Sequence, residues 1–277
     1  MIIESVTPAF ARQLEFAELH AWWDQWEAFP NELVRQFRFG KHKLGEAVVL
    51  TSPVIPFSHF NRVMGLGLTQ PATEKELDEI LAFFQAEKIK RLELHHIPHT
   101  QPPQLVDWLT ARGLRIVSGW DRIYRGNEPL TDKTEMPAGM RVEKITRATM
   151  EEWATFLVTM YNLQPTKPLL LSITDRRGWH HYALRENERI VAARSMYIHH
   201  DGMAWWGIEA PVPGFMTPRF DLDYHLCREI IKDGLKLGAK YFVADIEKSD
   251  TEMKHDGYRN FNEMGFKRAY FRSNYSY

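Results

Sequence analysis

The sequence predicts an α/β protein made of two similar domains in tandem, each a mixed central sheet flanked by helices. One pattern occurs twice: a helix that ends at a glycine, an apolar residue that opens a strand, and a strand end rich in aromatic residues and arginine. The two copies span residues 109–125 and 258–272. Gly113 and Gly265 stand where each helix needs a left-handed residue to stop, a conformation that glycine adopts without strain. The repetition favours a duplicated domain.

Composition narrows the class of protein. The 277 residues suit one large domain or two of ordinary size. The formal net charge is −1, from 35 basic and 36 acidic residues, so no global field favours nucleic acid or an anionic membrane. We therefore expect a small-molecule or peptide partner, with no nucleic acid and no membrane. The oligomeric state is left open.

The cysteine count and the chain start suggest a compartment. Cys227 is the only cysteine, which excludes a disulfide within the chain and fits a reducing environment. The first residues lack the basic-then-apolar order of a signal peptide. No run approaches the roughly 20 apolar residues of a membrane span. We expect a cytoplasmic protein.

The first half reads as a helix followed by alternating strands and helices. Trp22, Trp23 and Trp26 form an aromatic cluster that predicts a helix packed on a core. Thr73 and Glu76 have the spacing of a capping box, so a helix should begin there. Its apolar residues fall on one face: Leu77, Ile80, Leu81 and Phe84. The predicted elements are a helix at 9–26, strands at 46–50 and 60–68, a helix from residue 73, a strand at 91–95, a helix at 103–112 and a strand at 114–124.

The second half repeats this order after a polar stretch rich in proline and glycine, residues 127–139, which predicts a linker. We therefore expect domains at 1–126 and 140–277. A polar turn at 186–188 and a hairpin signal at 200–202 separate strands. Thr217 and Pro218 have the pattern of a helix start, and Gly238 that of a helix end. The predicted elements are strands at 140–144, 179–184, 189–198, 203–209, 241–245 and 266–272, with helices at 150–161, 217–237 and before residue 264.

Two fragments carry a resemblance to a known family. One is Asn61-Arg-Val-Met-Gly-Leu-Gly67, ahead of the helix at Thr73. The other is Tyr258-Arg-Asn-Phe-x-x-x-Gly-Phe266, followed by Tyr270-x-Arg272. With the order of elements they resemble the GNAT superfamily of acyl-CoA-dependent N-acyltransferases, and in particular its tandem members. The resemblance covers nearly the whole chain.

The resemblance implies a cofactor site in the second half. In the family a β-bulge splays two parallel strands, and the pantetheine arm of the acyl-CoA adds to the exposed backbone. Here the wedge would lie between residues 203–209 and 241–245. Ile208, Ala210, Arg219 and Asn260 are the expected cofactor-binding residues. Arg219 either binds a phosphate or pairs with Asp223, and Asn260 either contacts the cofactor or caps its helix.

The expected phosphate loop, residues 211–224, departs from the family pattern Arg/Gln-x-x-Gly-x-Gly/Ala. Leu222 and Tyr224 occupy the glycine positions, and Asp221 and Asp223 place carboxylates where a diphosphate would dock. A carboxylate at a helix N-terminus is itself stabilised by the helix dipole and would compete with a bound anion. Residues 68–73 of the first half also lack the pattern, so neither half is expected to carry an intact phosphate loop.

Acyl transfer to an amine needs a base for the ammonium and an acid for the leaving thiolate. Glu209 ends the strand that often carries the base in this family, and it is either that base or a solvated carboxylate. The position of the family's acid holds Phe261, which cannot donate a proton. Tyr258, about one turn earlier, either substitutes as the acid or packs against the core.

Metal chemistry is not expected. Six of the twelve histidines occur as neighbours: His95 with His96, His180 with His181, and His199 with His200. Adjacent strand residues point to opposite faces, so such a doublet offers one ligand to a site.

The resemblance implies an N-acyltransferase that moves an acyl group from acetyl-CoA or another acyl-CoA to a primary amine. The amine would belong to a small molecule or a peptide. The alternative is a catalytically degenerate relative that binds a ligand or has a regulatory role. Phe261 and the acidic loop favour the alternative.

Overall fold

The structure, a computed structural model, describes residues 5–55, 57–131, 135–211, 220–247 and 252–277, with the backbone only at 220–221, 247 and 252–256. In this part of the chain, helices and strands alternate as an α/β fold. The α-helices are α1 (Pro8–Ala28), α2 (Asn31–Phe37), α3 (Glu74–Ala86), α4 (Leu105–Ala111), α5 (Met150–Met160), α6 (Lys167–Leu171), α7 (Phe220–Lys236) and α8 (Glu252–Glu263). The strands are β1 (Gly40–Leu44), β2 (Ala47–Thr51), β3 (Arg62–Met64), β4 (Glu93–His96), β5 (Arg115–Arg125), β6 (Met140–Lys144), β7 (Trp179–Glu186), β8 (Arg189–Ile198), β9 (Met203–Ala210), β10 (Tyr241–Glu247) and β11 (Lys267–Ser276).

The predicted order of elements is confirmed wherever the structure describes it. The structure adds α2, β1 and α6, which the sequence analysis did not predict. The strand expected at 60–68 is shorter, because Gly65 and Gly67 take positive φ angles that end it after Met64. The helix start expected at Thr217 and Pro218 lies outside the described residues.

Contacts divide the chain into two compact units. The first unit comprises Ser5–Arg122 with Ala269–Tyr277, and the second comprises Ile123–Arg268. The predicted domain boundaries, at 126 and 140, differ from this division chiefly at the C-terminus, where most of β11 lies in the first unit. The boundaries 1–126 and 140–277, which follow the repeat in the sequence, therefore stay a prediction.

In the first unit the strands follow the order β1-β2-β3-β4-β11-β5. Strands β1 to β3 pair antiparallel, and β3 pairs parallel with β4 through Arg62 with Glu93 and Val63 with Leu94. The predicted capping box at Thr73 and Glu76 is present, and α3 buries its apolar face as expected. Helix α3 thus connects the parallel strands β3 and β4, as a crossover helix does in a β-α-β unit.

The α1 side of the first unit carries buried charges among its apolar residues. Arg62 lies 2.7 Å from Glu18, and Arg122 lies 2.6 Å from Glu18 and 3.1 Å from Glu15. Arg272 also pairs with Glu18. These five side chains are all at least 95% buried. Buried charges persist only when they are paired, so this cluster is a strong constraint on how α1 packs.

In the second unit the strands follow the order β10-β9-β8-β7-β6. Strands β6 to β9 pair antiparallel, whereas β9 and β10 pair parallel. Helix α7 covers one face through Leu226, Ile230 and Ile231, which are buried against Phe242. Trp153 of α5 belongs to a separate core cluster with Ala183 and Ala193. The parallel pair β9–β10 sets the position of the candidate site.

Candidate active site

Strand β9 contains a β-bulge at its C-terminal end. Ala193 faces Ala210 and Ser195 faces Gly207, so two steps along β8 oppose three steps along β9. Ile208 takes φ 50°, a strained value for a β-branched residue. The hydroxyl of Tyr161 donates a hydrogen bond to the main-chain oxygen of Glu209 at 2.5 Å, next to the strained residue. This bond helps to hold the bulge in place.

The bulge coincides with a divergence of β9 and β10. Their parallel pairing joins Tyr241 to Met203, Phe242 to Ala204 and Val243 to Trp205. Among the described residues, 206–210 and 244–247 continue as strands without pairing to each other. Two parallel strands that separate in this way leave main-chain groups facing a gap, to which an extended chain can add. The gap lies where the sequence analysis placed the wedge.

Glu209 lies beside this gap in a compact ion cluster. The Nη2 atom of Arg194 lies 2.5 Å from Oε2 of Glu209 and 2.8 Å from Oδ1 of Asp223. The Arg194 side chain is 3% exposed, whereas that of Glu209 is 24% exposed. Glu209 therefore combines a buried anchor with access to solvent. Its role as the base stays a prediction.

The cluster changes the acidity of Glu209. Burial raises its pKa, Arg194 opposes that rise, and the carboxylates of Asp223 and Asp245 add to it, with the result that the pKa is about 6. A carboxyl group with this pKa is largely ionised at neutral pH yet more basic than an ordinary glutamate. Such a group suits proton abstraction near neutral pH.

The other predicted site residues within the described part of the chain lie on β9 and α8. Ile208 and Ala210 flank Glu209 on β9; Ile208 is half-buried and Ala210 fully buried. Asn260 is buried in α8 and Tyr258 is half-buried in the same helix. Helix α8 packs on β9 through Phe261, whose ring centroid lies 6.5 Å from that of Trp206. Arg219 and the side chain of Asp221 lie outside the described residues.

The side chain of Asp223 takes part in the ion cluster around Arg194. Its side chain is 11% exposed and accepts a hydrogen bond from Arg194 at 2.8 Å. The thiol of Cys227, one turn along α7, lies 3.5 Å from the same oxygen. Asp223 is therefore directed into the ion cluster. Most of the expected phosphate loop, residues 212–219, lies outside the described residues, so the interpretation of Asp223 as a carboxylate in the phosphate-docking position stays a prediction.

The first unit repeats the strand-helix-strand arrangement, and main-chain bonds join the loops that follow its two parallel strands. After the parallel pair β3–β4, the amide of Gln101 donates to the oxygen of Gly67 at 2.8 Å, and the amide of Ala72 donates to the oxygen of Gln101 at 2.9 Å. A Cβ atom at Gly67 would lie 2.3 Å from that Gln101 oxygen, and Gly67 has φ +71°. Only glycine allows this approach, which bridges the two strand ends by main-chain bonds.

One match to the family's phosphate loop was missed in the sequence analysis, which examined only residues 68–73. Residues 62–67 read Arg-Val-Met-Gly-Leu-Gly. In the structure Arg62 lies in β3 and pairs with Glu18 and Glu93, and its guanidinium lies 4.1 Å from the ring centroid of Trp22. Arg62 of this pattern is therefore engaged in ion pairing and packing within the first unit.

Sequence reasoning also missed Arg194 and Tyr161. Arg194 interrupts the apolar run Ile-Val-Ala-Ala-Arg-Ser-Met of β8, and a charge inside such a run predicts a buried partner. That signal was available. Tyr161 lies at the end of α5, and its bond to Glu209 depends on tertiary packing that no local pattern reveals.

The described residues were compared with the requirements of a metal site and of a membrane-spanning helix. No three His, Cys, Asp or Glu side chains are grouped there to hold a metal ion. The described helices include none with the length and apolar character of a membrane span. His181, of one predicted doublet, is buried between Ser195 and the main-chain oxygen of Ile173.

No protein-family model matches the chain, and no curated protein matches it either. Several solved structures are similar to it. A GCN5-related N-acetyltransferase from Kribbella flavida is similar over 96% of this chain and 95% of its own, with a TM-score of 0.62 and 18% identity. A tandem GNAT protein from the clavulanic acid biosynthesis pathway matches over 96% and 93%, with a TM-score of 0.55 and 14% identity. A GCN5-related N-acetyltransferase from Sphaerobacter thermophilus matches over 98% and 93%, with a TM-score of 0.53 and 14% identity. The predicted fold is therefore confirmed: this chain has the fold of tandem GNAT acetyltransferases.

Proposed function

We propose that the protein is an N-acyltransferase that moves an acyl group from acetyl-CoA or another acyl-CoA to a primary amine. The reaction would take place in the second unit, and the acceptor would be a small molecule or a peptide. The observation that supports this most is the pairing of the β9–β10 gap with Glu209. The gap suits the extended arm of an acyl-CoA, and the carboxylate suits the deprotonation of an ammonium group.

Strand β9 supplies both parts of this arrangement. The bulge turns the main chain of residues 208–210 away from β10, which frees main-chain groups for the arm of the acyl-CoA. Ile208 and Ala210 are the residues we assign to that contact. Arg219 and Asn260 remain our proposals for further contacts with the nucleotide end of the substrate. The acyl-CoA supplies the acyl group as a thioester, already activated for transfer.

The proton transfers are assigned to the chain's own residues. Glu209 takes a proton from the acceptor's ammonium, which leaves a neutral amine able to attack the thioester carbon. The new carbon–nitrogen bond leaves one proton too many on the nitrogen, and that proton passes to water. The carbon–sulfur bond breaks to give an amide and CoA, and the thiolate takes up a second proton from the chain. We assign that second proton to Tyr258, because Phe261 fills the family's usual position and lies in the core with 4% exposure. We also infer a cytoplasmic location from the single cysteine.

The test measures the release of free CoA from acetyl-CoA in the presence of each of a panel of primary amines. A thiol reagent detects the free CoA. The panel should include a diamine, an aromatic monoamine, an amino acid and a peptide with a free N-terminus. At least one amine is expected to accelerate release, with the acetylated product visible by mass spectrometry. Calorimetry with CoA runs in parallel. Binding without turnover on any acceptor would favour the degenerate binding protein; no binding at millimolar CoA would contradict the proposal.

A further inference from the structure

Arg194 holds two acidic partners through one nitrogen atom. Its Nη2 lies 2.5 Å from Oε2 of Glu209 and 2.8 Å from Oδ1 of Asp223. The three side chains come from three elements, β8, β9 and α7. Such short contacts between charged groups are strong in a buried setting. Nη2 carries two hydrogens and can donate to both carboxylates, but the two negative charges then lie close together and share the field of one cation.

The surroundings fix the guanidinium in this orientation. Its carbon lies 5.5 Å from the ring centroid of Trp206 and 5.8 Å from that of Phe261, so two aromatic rings flank the charge. The Arg194 side chain is 3% exposed and that of Asp223 is 11% exposed. Asp223 is thus farther from solvent than Glu209, whose side chain is 24% exposed. The buried end of the cluster is fixed, and the exposed end carries the proposed base.

We propose that Arg194 is a positioning residue whose Nη2 is divided between the two carboxylates, and that Asp223 thereby sets how firmly Glu209 is held and how readily it takes a proton. This inference rests on the proposed function, because it assigns a role to groups behind the proposed base. Neither Arg194 nor Asp223 touches the reacting atoms. Both act through Glu209.

The other groups around Glu209 leave Arg194 and Asp223 as the main influence on its protonation. Tyr161 donates to its main-chain oxygen, and burial raises the pKa of that phenol, so Tyr161 stays neutral in the physiological range. Burial also raises the pKa of Cys227 well above its usual value, so the thiol beside Asp223 stays protonated. Asp245 of β10 adds a further negative charge that raises the pKa of Glu209. Among the described neighbours, Arg194 is the cation that opposes these carboxylates.

The decisive variant is Asp223→Asn. The amide oxygen can still accept from Arg194, so the geometry is kept, but the competing charge is gone. Arg194 should then bind Glu209 more firmly and lower its pKa by about half a unit. The acid limb of the kcat/KM profile should move to lower pH, and the rate at pH 5 relative to pH 8 should rise about two- to threefold. Arg194→Lys, which loses the planar fork, should move the limb the other way.

A matched control lies on the same helix. Asp233 of α7 accepts from Lys144 at 2.8 Å and from Tyr182 at 2.6 Å, outside the Arg194 cluster. Asp233→Asn makes the same chemical change and should leave the acid limb in place. A profile of Asp223→Asn that overlays the wild type, or moves to higher pH, would overturn the proposal.

A second readout separates this inference from the proposed function. The carboxyl carbon of Glu209 can be titrated by ¹³C NMR in the ligand-free protein, with Glu209→Gln used for assignment. The titration of Asp223→Asn should have a lower midpoint than the wild type, whereas that of Asp233→Asn should coincide with it. If the protein shows no turnover but the midpoints differ as expected, the function fails and the role of Arg194 stands. Equal midpoints would refute that role even in an active enzyme.

Discussion

Glu18, which is buried, and Glu209, which is partly buried, are both bonded to arginine, yet their pKa values move in opposite directions. Burial alone would raise the pKa of Glu18, but the combined charges of Arg272, Arg122 and Arg62 outweigh it and hold the pKa well below the usual range. Glu209 has one arginine and must share it, so burial prevails and its pKa rises to about 6. A carboxylate with several cationic partners thus keeps a low pKa and acts as a structural ion, whereas one that shares a single cation has a raised pKa and can act as a base.

The role of Glu209 is tested by Glu209→Gln, which keeps its shape and removes its basicity. We expect kcat to fall by about 10²- to 10⁴-fold, the usual contribution of a general base, while CoA binding by calorimetry is retained. In the wild type the rate should rise as pH increases through about 6, because only the ionised carboxylate accepts a proton.

The control for this variant is Glu188→Gln in the same unit. Glu188 is 82% exposed and pairs with Arg141, so its loss should leave kcat unchanged. If Glu209→Gln retained wild-type turnover, Glu209 would not be the base.

The structural role of Glu18 is tested by Glu18→Gln. The change leaves its buried arginine partners short of a counter-charge, so the free energy of unfolding should fall by roughly 3–5 kcal/mol at pH 7. Because the folded-state pKa of Glu18 is lowered, its contribution is present above the unfolded-state pKa of about 4.3 and is lost as pH falls. The difference between variant and wild type should therefore shrink below about pH 4.

Urea unfolding at pH 7 and pH 3.5 measures both effects. Glu27→Gln on the same helix is the control, since Glu27 is 44% exposed and pairs with Lys41; we expect a cost below about 1 kcal/mol. Equal costs for the two variants would show that the buried cluster contributes little to stability.

At the level of elements, local patterns predicted most helices and strands, because caps and apolar periodicity are properties of neighbouring residues. The Thr73–Glu76 capping box and the left-handed Gly113 and Gly265 are present as expected. The features that the sequence analysis did not predict depend on tertiary contacts or lack a clear local pattern. Strand β1 is half-exposed and rich in lysine, which hides a strand pattern, and the ion cluster around Arg194 joins residues far apart in sequence.

The main-chain bonds between these loops of the first unit predict unequal costs for two glycine substitutions. Gly67→Ala places a Cβ 2.3 Å from the oxygen of Gln101, in addition to the strain of a positive φ. Gly113→Ala has a similar φ, +80°, but meets nothing within 4 Å. We expect roughly 1–2 kcal/mol for Gly113→Ala and a larger loss for Gly67→Ala, both from chemical unfolding. Similar losses would show that the approach of Gly67 to Gln101 is not a tight one.

On the scale of the whole molecule, two units of similar construction differ at the same place. In the second unit the parallel strands β9 and β10 part beside Glu209, whereas in the first unit main-chain bonds join Gly67, Gln101 and Ala72 across the equivalent ends. These bonds bridge the loops that follow β3 and β4, so we expect the first unit to add no extended chain there. The central claim is that the chain binds acyl-CoA once, in the second unit.

Hydrogen exchange with and without saturating acetyl-CoA tests this claim most directly, because it reports on main-chain amides in both units at once. We predict slower exchange in residues 206–210 and 244–246, where the strands diverge, and no change in residues 65–72 and 97–101 of the first unit. Protection confined to the first unit, or exchange unaltered in both units at saturating ligand, would contradict the account.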